Sequence, residues 1–153
     1  MGKKTEWKIA PRIIIVDDHP GQLKILYRIL RDAAYAVEIA TTGELALQYA
    51  NDLHPDLILL DVRMPGLNGL NVYSRLKSNS KLSDIPVIFI NEIENAVDKP
   101  LCYQAGATAY LTKPYNPLEV ITCVDANLRL SYMSKRLAEL SEEPINIFFR
   151  RII

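Results

Sequence analysis

A chain of 153 residues, 49% hydrophobic and 24% charged, suits one domain with a real core and is too short for two of ordinary size. Eighteen basic residues offset eighteen acidic ones, so no charge surplus exists to neutralise phosphates, and no nucleic-acid partner is expected. Cys102 and Cys123 match neither a disulfide framework nor a zinc spacing, no apolar run follows the charged N-terminus, and no stretch reaches the roughly 20 apolar residues of a membrane span. A cytoplasmic domain is expected, preceded by a solvated arm over residues 1–11 with Lys3, Lys4 and Lys8.

Two hydrophobic patterns alternate along the rest. Arg12-Ile13-Ile14-Ile15-Val16 is continuous and β-branched, the pattern of a strand buried on both faces. From Gln22 to Ala34 the spacing predicts a helix with Leu23, Leu26, Tyr27 and Leu30 on one stripe. Val37 to Ala40 predicts a second strand. Thr42 is positioned to cap a helix that ends near His54-Pro55, and His54 reads as a helix-end residue facing the macrodipole. Asp56 to Asp61 is a third strand and Asn68 to Ser78 a third helix, with Tyr35, Tyr49 and Tyr73 expected to be partly core. Pro86 to Asn91 is a fourth strand, Lys99 to Ala105 a weaker helix, and Ala109-Tyr110-Leu111 a fifth strand. Asn116-Pro117-Leu118-Glu119 then carries a cap, a first-turn proline and a capping-box glutamate.

Strands alternating with helices predict an α/β fold, a parallel sheet with helices on both faces. Right-handed crossovers put every strand's C-terminal end on one edge, where ligands of such folds bind. Asp17 and Asp18 follow the first strand, Asp61 the third, Asn91 and Glu92 the fourth, and Thr112-Lys113-Pro114 the fifth. A single Asp after a strand is most simply a helix cap; several strand ends agreeing is harder to explain that way. Crowded carboxylates raise one another's pKa unless a cation compensates, and hard oxygen ligands suit Mg²⁺. A lysine beside them supplies a point charge for a phosphoryl oxygen, with one aspartate as nucleophile. His19 reads as an exposed loop residue rather than a ligand.

The segments Ile14-Ile15-Val16-Asp17-Asp18, Asp61-Val62-Arg63-Met64-Pro65-Gly66-Leu67-Asn68-Gly69 and Tyr110-Leu111-Thr112-Lys113-Pro114 together resemble the receiver domain of two-component response regulators, over residues 12–130. The resemblance implies the flavodoxin-like doubly wound order 2-1-3-4-5. It implies a phosphoryl group accepted on Asp61 from a sensor histidine kinase or phosphotransfer protein. Mg²⁺ would be held by Asp18, Asp61 and the Arg63 carbonyl, with Asp17 acting through water. Lys113 would contact the phosphoryl group, and its bond to Pro114 would be cis. Such a protein is a switch rather than an enzyme turning over a separate substrate, and a downstream output domain or protein reads its state.

The sequence departs from that pattern after the fourth strand. Receivers usually carry Thr or Ser where Asn91 stands, and a small residue where Glu92 stands. In the family the hydroxyl and an aromatic on the fifth strand, here Tyr110, relay the signal. Asn91 can still donate, with a longer arm, while Glu92 adds negative charge beside a negative group. The alternative is therefore a receiver-like interaction module not controlled by phosphorylation. A free-standing phosphohydrolase fits the carboxylates but lacks room for a substrate pocket or cap. No DNA-binding output is expected, because about two dozen residues after 130 are too few for a helix-turn-helix with its own core.

Past Pro117, Ile121, Val124 and Leu128 are expected on the sheet. The apolar spacing then continues through Leu130, Met133, Leu137 and Leu140, a short coiled-coil seam that Glu142, Glu143 and Pro144 should break. An extended C-terminal helix over 131–153 is expected to pair in a homodimer or continue into an output module. The alternative is a helix folded back on its own domain. The apolar ending Ile147 to Ile153 is a possible docking surface.

Overall fold

The computed structural model describes residues 7–92 and 98–152, with side chains described as far as residue 140. Five strands alternate with five helices: β1 (Arg12–Val16), α1 (Pro20–Asp32), β2 (Ala36–Ala40), α2 (Gly43–Leu53), β3 (Leu57–Asp61), α3 (Gly69–Ser78), β4 (Val87–Glu92), α4 (Asp98–Ala105), β5 (Ala109–Lys113) and α5 (Pro117–Ile152). All pairings are parallel, and the order is β2-β1-β3-β4-β5. The expected doubly wound sheet is present.

Alternation along each strand sorts the core into two layers. Ile14, Val16, Ile58, Leu60 and Phe89 face Ala46 and Ala50 of α2, Val72 and Leu76 of α3, and Cys102 of α4. Ile13, Ile15, Leu57, Leu59, Ile88 and Ile90 face Leu23, Leu26 and Leu30 of α1 and Val120, Val124 and Leu128 of α5. Ile13, Ile14, Ile15 and Val16 are fully buried, and each such side chain contributes about 1.5–3 kcal/mol. That two-sided burial is why, between the exposed Arg12 at the start of β1 and the strands' C-terminal ends, the central strands carry no polar residue.

Helix starts follow the sequence closely. Thr42 Oγ1 accepts the Leu45 N–H at 3.1 Å, Asn68 Oδ1 the Asn71 N–H at 3.0 Å, and Asn116 Oδ1 the Glu119 N–H at 3.2 Å. His54 terminates α2 in the left-handed region with φ 46°. Gly69 opens α3 against the end of β3: a Cβ there would collide with the Asp61 carbonyl oxygen and lie 2.8 Å from Val62 Cα. Only glycine lets α3 start that close to the acidic strand end.

Lys8 is exposed, as expected of the arm, but the Trp7 ring beside it packs edge-on to Tyr132 with centroids 6.3 Å apart and lies under Arg129 at 5.3 Å. A large aromatic next to a helix face gains more from burial than from solvent; Lys3 and Lys4 fall outside the described residues. The backbone of α5 also runs past Glu142, Glu143 and Pro144 to Ile152 instead of breaking there. A proline removes one helical hydrogen bond and bends a helix without having to end it. The side chains of Ile147 to Ile153 lie outside the described residues.

Candidate functional site

Four strand ends meet at one cleft of about 570 Å³, lined by Asp18, His19, Asp61, Arg63, Asn91 and Lys113 among others. Asp61 is the last residue of β3 and Lys113 the last of β5, while Asp17 follows β1 directly. Asp17, Asp61 and Lys113 are almost wholly buried, and Asp18 is partly open. Lys113 Nζ stands 3.0 Å from Asp17 Oδ2, 3.3 Å from Asp61 Oδ2 and 3.7 Å from Glu92 Oε1. One ammonium therefore faces three carboxylates. The Lys113–Pro114 peptide is cis.

The two buried aspartates divide the charge between them. Burial pushes the Asp61 carboxyl up to about 7, helped by the hydrogen bond and the negative charge of Asp17, with Lys113 and the Arg63 N–H opposing. Burial also acts against ionised Asp17, but the His19 N–H, the hydrogen bonds to Asp61 and the His19 ring, and the Lys113 charge outweigh it and hold that carboxyl low. Desolvation works against charged Lys113 too, yet Asp61 and Asp17 hold its pKa above the usual lysine value. Asp17 is thus the settled anion, and Asp61 the carboxylate whose charge lacks compensation.

His19 is the exposed loop residue expected from the sequence, but it also reaches the acidic cluster. Its side chain is 55% exposed, yet Nδ1 lies 3.0 Å from Asp17 Oδ1, 3.1 Å from Asp18 Oδ1 and 3.7 Å from Asp61 Oδ2. It is the residue before α1, so its N–H also donates to Asp17 Oδ1 at 3.0 Å, and the turn draws the ring over the carboxylates. The hydrogen bond with Asp17 raises the imidazole pKa. A lone histidine after an acidic pair carries no sequence signal for that placement.

Asn91 and Glu92 lie at the mouth of the cleft. Asn91 is buried; its Nδ2 donates to Asp98 Oδ2 at 2.9 Å, and its Oδ1 accepts the Glu92 N–H at 2.9 Å. Asp98 also takes Arg63 Nε at 2.8 Å and Nη2 at 3.3 Å. Neither Asp98 nor the Arg63 side chain was legible in the sequence, because their pairing spans 35 residues and joins the loop after β3 to the start of α4. Tyr110 is buried on β5, its hydroxyl beside Asn91 and the Lys99 ammonium 5.9 Å from its ring centroid.

Residues 13–125 match the response regulator receiver domain. The chain belongs to that family. It is 35% identical over 134 residues to the transcriptional regulatory protein BaeR of Escherichia coli O6:H1, covering 88% of this chain and 55% of BaeR. It is 35% identical over 118 residues to the DNA-binding response regulator MtrA of Mycolicibacterium smegmatis, covering 77% of this chain and 50% of MtrA. Among solved structures, the receiver domain of sensor histidine kinase PA1611 from Pseudomonas aeruginosa PAO1, with a magnesium ion in its active-site cleft, superposes with a TM-score of 0.73 at 26% identity. That match covers 78% of this chain and 98% of the other.

The receiver domain serves phosphorelay signalling, and its relatives are named as regulators. The reading as a phosphorylation-independent module is not favoured by these relatives. The chain spans about half the length of the curated relatives it matches. The expectation of no nucleic-acid partner has no support from them, since MtrA is named as DNA-binding; net charge on a receiver says nothing about an output module joined to it. Among the described residues no helix is long and apolar enough to cross a membrane.

Proposed function

We propose that this receiver domain takes a phosphoryl group onto Asp61 from the phosphohistidine of a sensor kinase or phosphotransfer protein. The observation that carries the reading is Asp61 itself, a buried carboxylate facing the cleft, with Lys113 Nζ at 3.3 Å and the Arg63 N–H donating to Oδ1 at 3.0 Å. An Asp61 oxygen attacks phosphorus, the P–N bond breaks, and the imidazole leaves with the electron pair. The product is an acyl phosphate. Lys113, held in place by Asp17, then neutralises a phosphoryl oxygen as a point charge.

The donor set fits a hard divalent cation. Oxygens of Asp17, Asp18 and Asp61, with the His19 nitrogen, all lie within 4.8 Å of one another. Opposite ligands of an octahedral Mg²⁺ stand about 4.2 Å apart. Asp18, Asp61 and the Arg63 carbonyl would hold the ion directly and Asp17 through water; the PA1611 receiver domain is named for a magnesium ion in its active-site cleft. The ion supplies positive charge for the phosphoryl oxygens. Asn91, Glu92 and Tyr110 form the switch region; with Asn91 engaged by Asp98 and Glu92 drawn towards Lys113, the response to phosphorylation is reduced.

The switch reports to an output domain or protein in the cytoplasm, and α5 offers one route. Leu130, Met133, Leu137 and Leu140 are 66%, 58%, 64% and 56% exposed, a stripe of four large apolar side chains that a second copy would cover. The acceptor reading is tested with a small-molecule phosphodonor and Mg²⁺, by intact mass of wild type beside Asp61→Asn. Wild type gains one phosphoryl group and the variant none. A gain in both proteins, or in neither where an ordinary receiver is labelled, overturns it.

A further inference from the structure

Asp98 is a buried carboxylate outside the acidic cluster, at the first residue of α4. Three donor contacts converge on it from two other parts of the fold: Arg63 Nε and Nη2 from the loop after β3, and Asn91 Nδ2 from the end of β4. Arg63 is tied at its other end to the acceptor, because its N–H donates to Asp61 Oδ1 at 3.0 Å. Lys99, next to Asp98, sits over the Tyr110 ring, whose hydroxyl borders Asn91. One carboxylate thus links α4 to the loop after β3 and to the end of β4.

We propose that Asp98 is the positioning residue that latches α4 to the acceptor edge, and that a phosphoryl group on Asp61 competes with it for Arg63 and Asn91 and so releases α4. The inference rests on the reading of Asp61 as phosphoacceptor. Its chemical basis is that a phosphoryl group adds about −1.5 to −2 charges and strong acceptor oxygens to the cleft that Asp61 shares with Arg63, Asn91 and Asp98. A guanidinium fork fits phosphate and carboxylate alike. The Asn91 amide, a donor now given to Asp98, can turn towards either anion. Arg63 is 57% exposed, so its pairing is partly screened, and the buried Asn91–Asp98 bond carries much of the latch.

The test uses the full chain as wild type, Asp98→Asn and Arg63→Gln, each with and without phosphodonor and Mg²⁺. Intact mass reports the label, and hydrogen exchange reports protection of residues 98–105. In wild type, labelling accelerates exchange of α4 by about three- to tenfold, the range for losing charge-assisted hydrogen bonds in a partly screened site. Asp98→Asn takes the label equally, exchanges fast at α4 before labelling, and gains less than about twofold on labelling. Arg63→Gln approaches the same state from the opposite side of the pair. Label without any change in wild-type α4, or an equal increment in Asp98→Asn, shows a purely structural contact and overturns the latch alone. No label in any protein instead brings down the acceptor reading, and the competition with it.

Discussion

Lys113 Nζ reaches Asp17 Oδ2 at 3.0 Å although the strands that carry them, β5 and β1, are separated in the sheet by β3 and β4. Both side chains are 1% exposed. A pair buried that deeply costs desolvation of both charges, which attraction repays only when the geometry is good and other bonds complete it. Here the His19 N–H completes Asp17. The lysine's long apolar stem crosses the top of the sheet and delivers its charge beside Asp61. The result is a preset cation next to the buried Asp61 carboxylate.

That arrangement makes stability depend on pH. Asp61 is raised to about 7 in the fold, so its contribution is fully present below about pH 4 and is lost as pH rises through 7. Asp17 is held low, so its contribution is lost only as pH falls below the ordinary carboxylate range. His19, raised by Asp17, also weakens the fold as pH rises through its own folded value. Urea unfolding of metal-free protein should show wild type losing on the order of 2 kcal/mol between pH 5 and 8. Asp61→Asn should lose less and be the more stable of the two at pH 8. Equal pH slopes in the two proteins would remove the assigned role of Asp61 in this dependence.

Asn91→Thr combined with Glu92→Ala should enlarge the switch. The double variant frees Lys113 from the carboxylate at 3.7 Å and puts a hydroxyl where the family usually has one. A beryllofluoride mimic should then shift amide resonances around Tyr110 on β5 further than in wild type, while α4, already without the Asn91–Asp98 bond, responds less. Large and equal shifts in both proteins would show that Asn91 already relays fully.

The seam on α5 should govern oligomeric state. Full covering of its four exposed leucine and methionine side chains is worth up to roughly 1.5–3 kcal/mol each, which favours a second copy on the stripe. Light scattering should find a dimer for the full chain and a monomer for a version truncated after Arg129, which also removes Tyr132 from Trp7. Monomers in both cases, with no stability lost on truncation, would leave the stripe without this role.

Much of the site was legible because it lies at strand ends. Local apolar runs mark where β1, β3 and β5 stop, and a parallel sheet forces Asp17, Asp61 and Lys113 onto one edge. The segment from Asp61 to Gly69 carries its own reason in the Asp61 carbonyl that excludes any Cβ at Gly69. Boundaries moved by a residue or two, as with β5, which runs on through Lys113. Such ends depend on register with the neighbouring strand, which no single segment encodes.

What the sequence determined by itself was the order of elements, the caps and the residue types at the acidic edge, because each follows from spacing over a few residues. Tertiary structure alone decided what those side chains do to one another. His19 bends over three carboxylates, Trp7 finds Arg129 and Tyr132, and Asp98 collects Arg63 and Asn91. The charge of Asp61 likewise depends on Asp17 from another strand. Contacts of this kind join residues tens of positions apart, and their strength is set by burial and by distances of a few tenths of an ångström, quantities that exist only once the chain is folded.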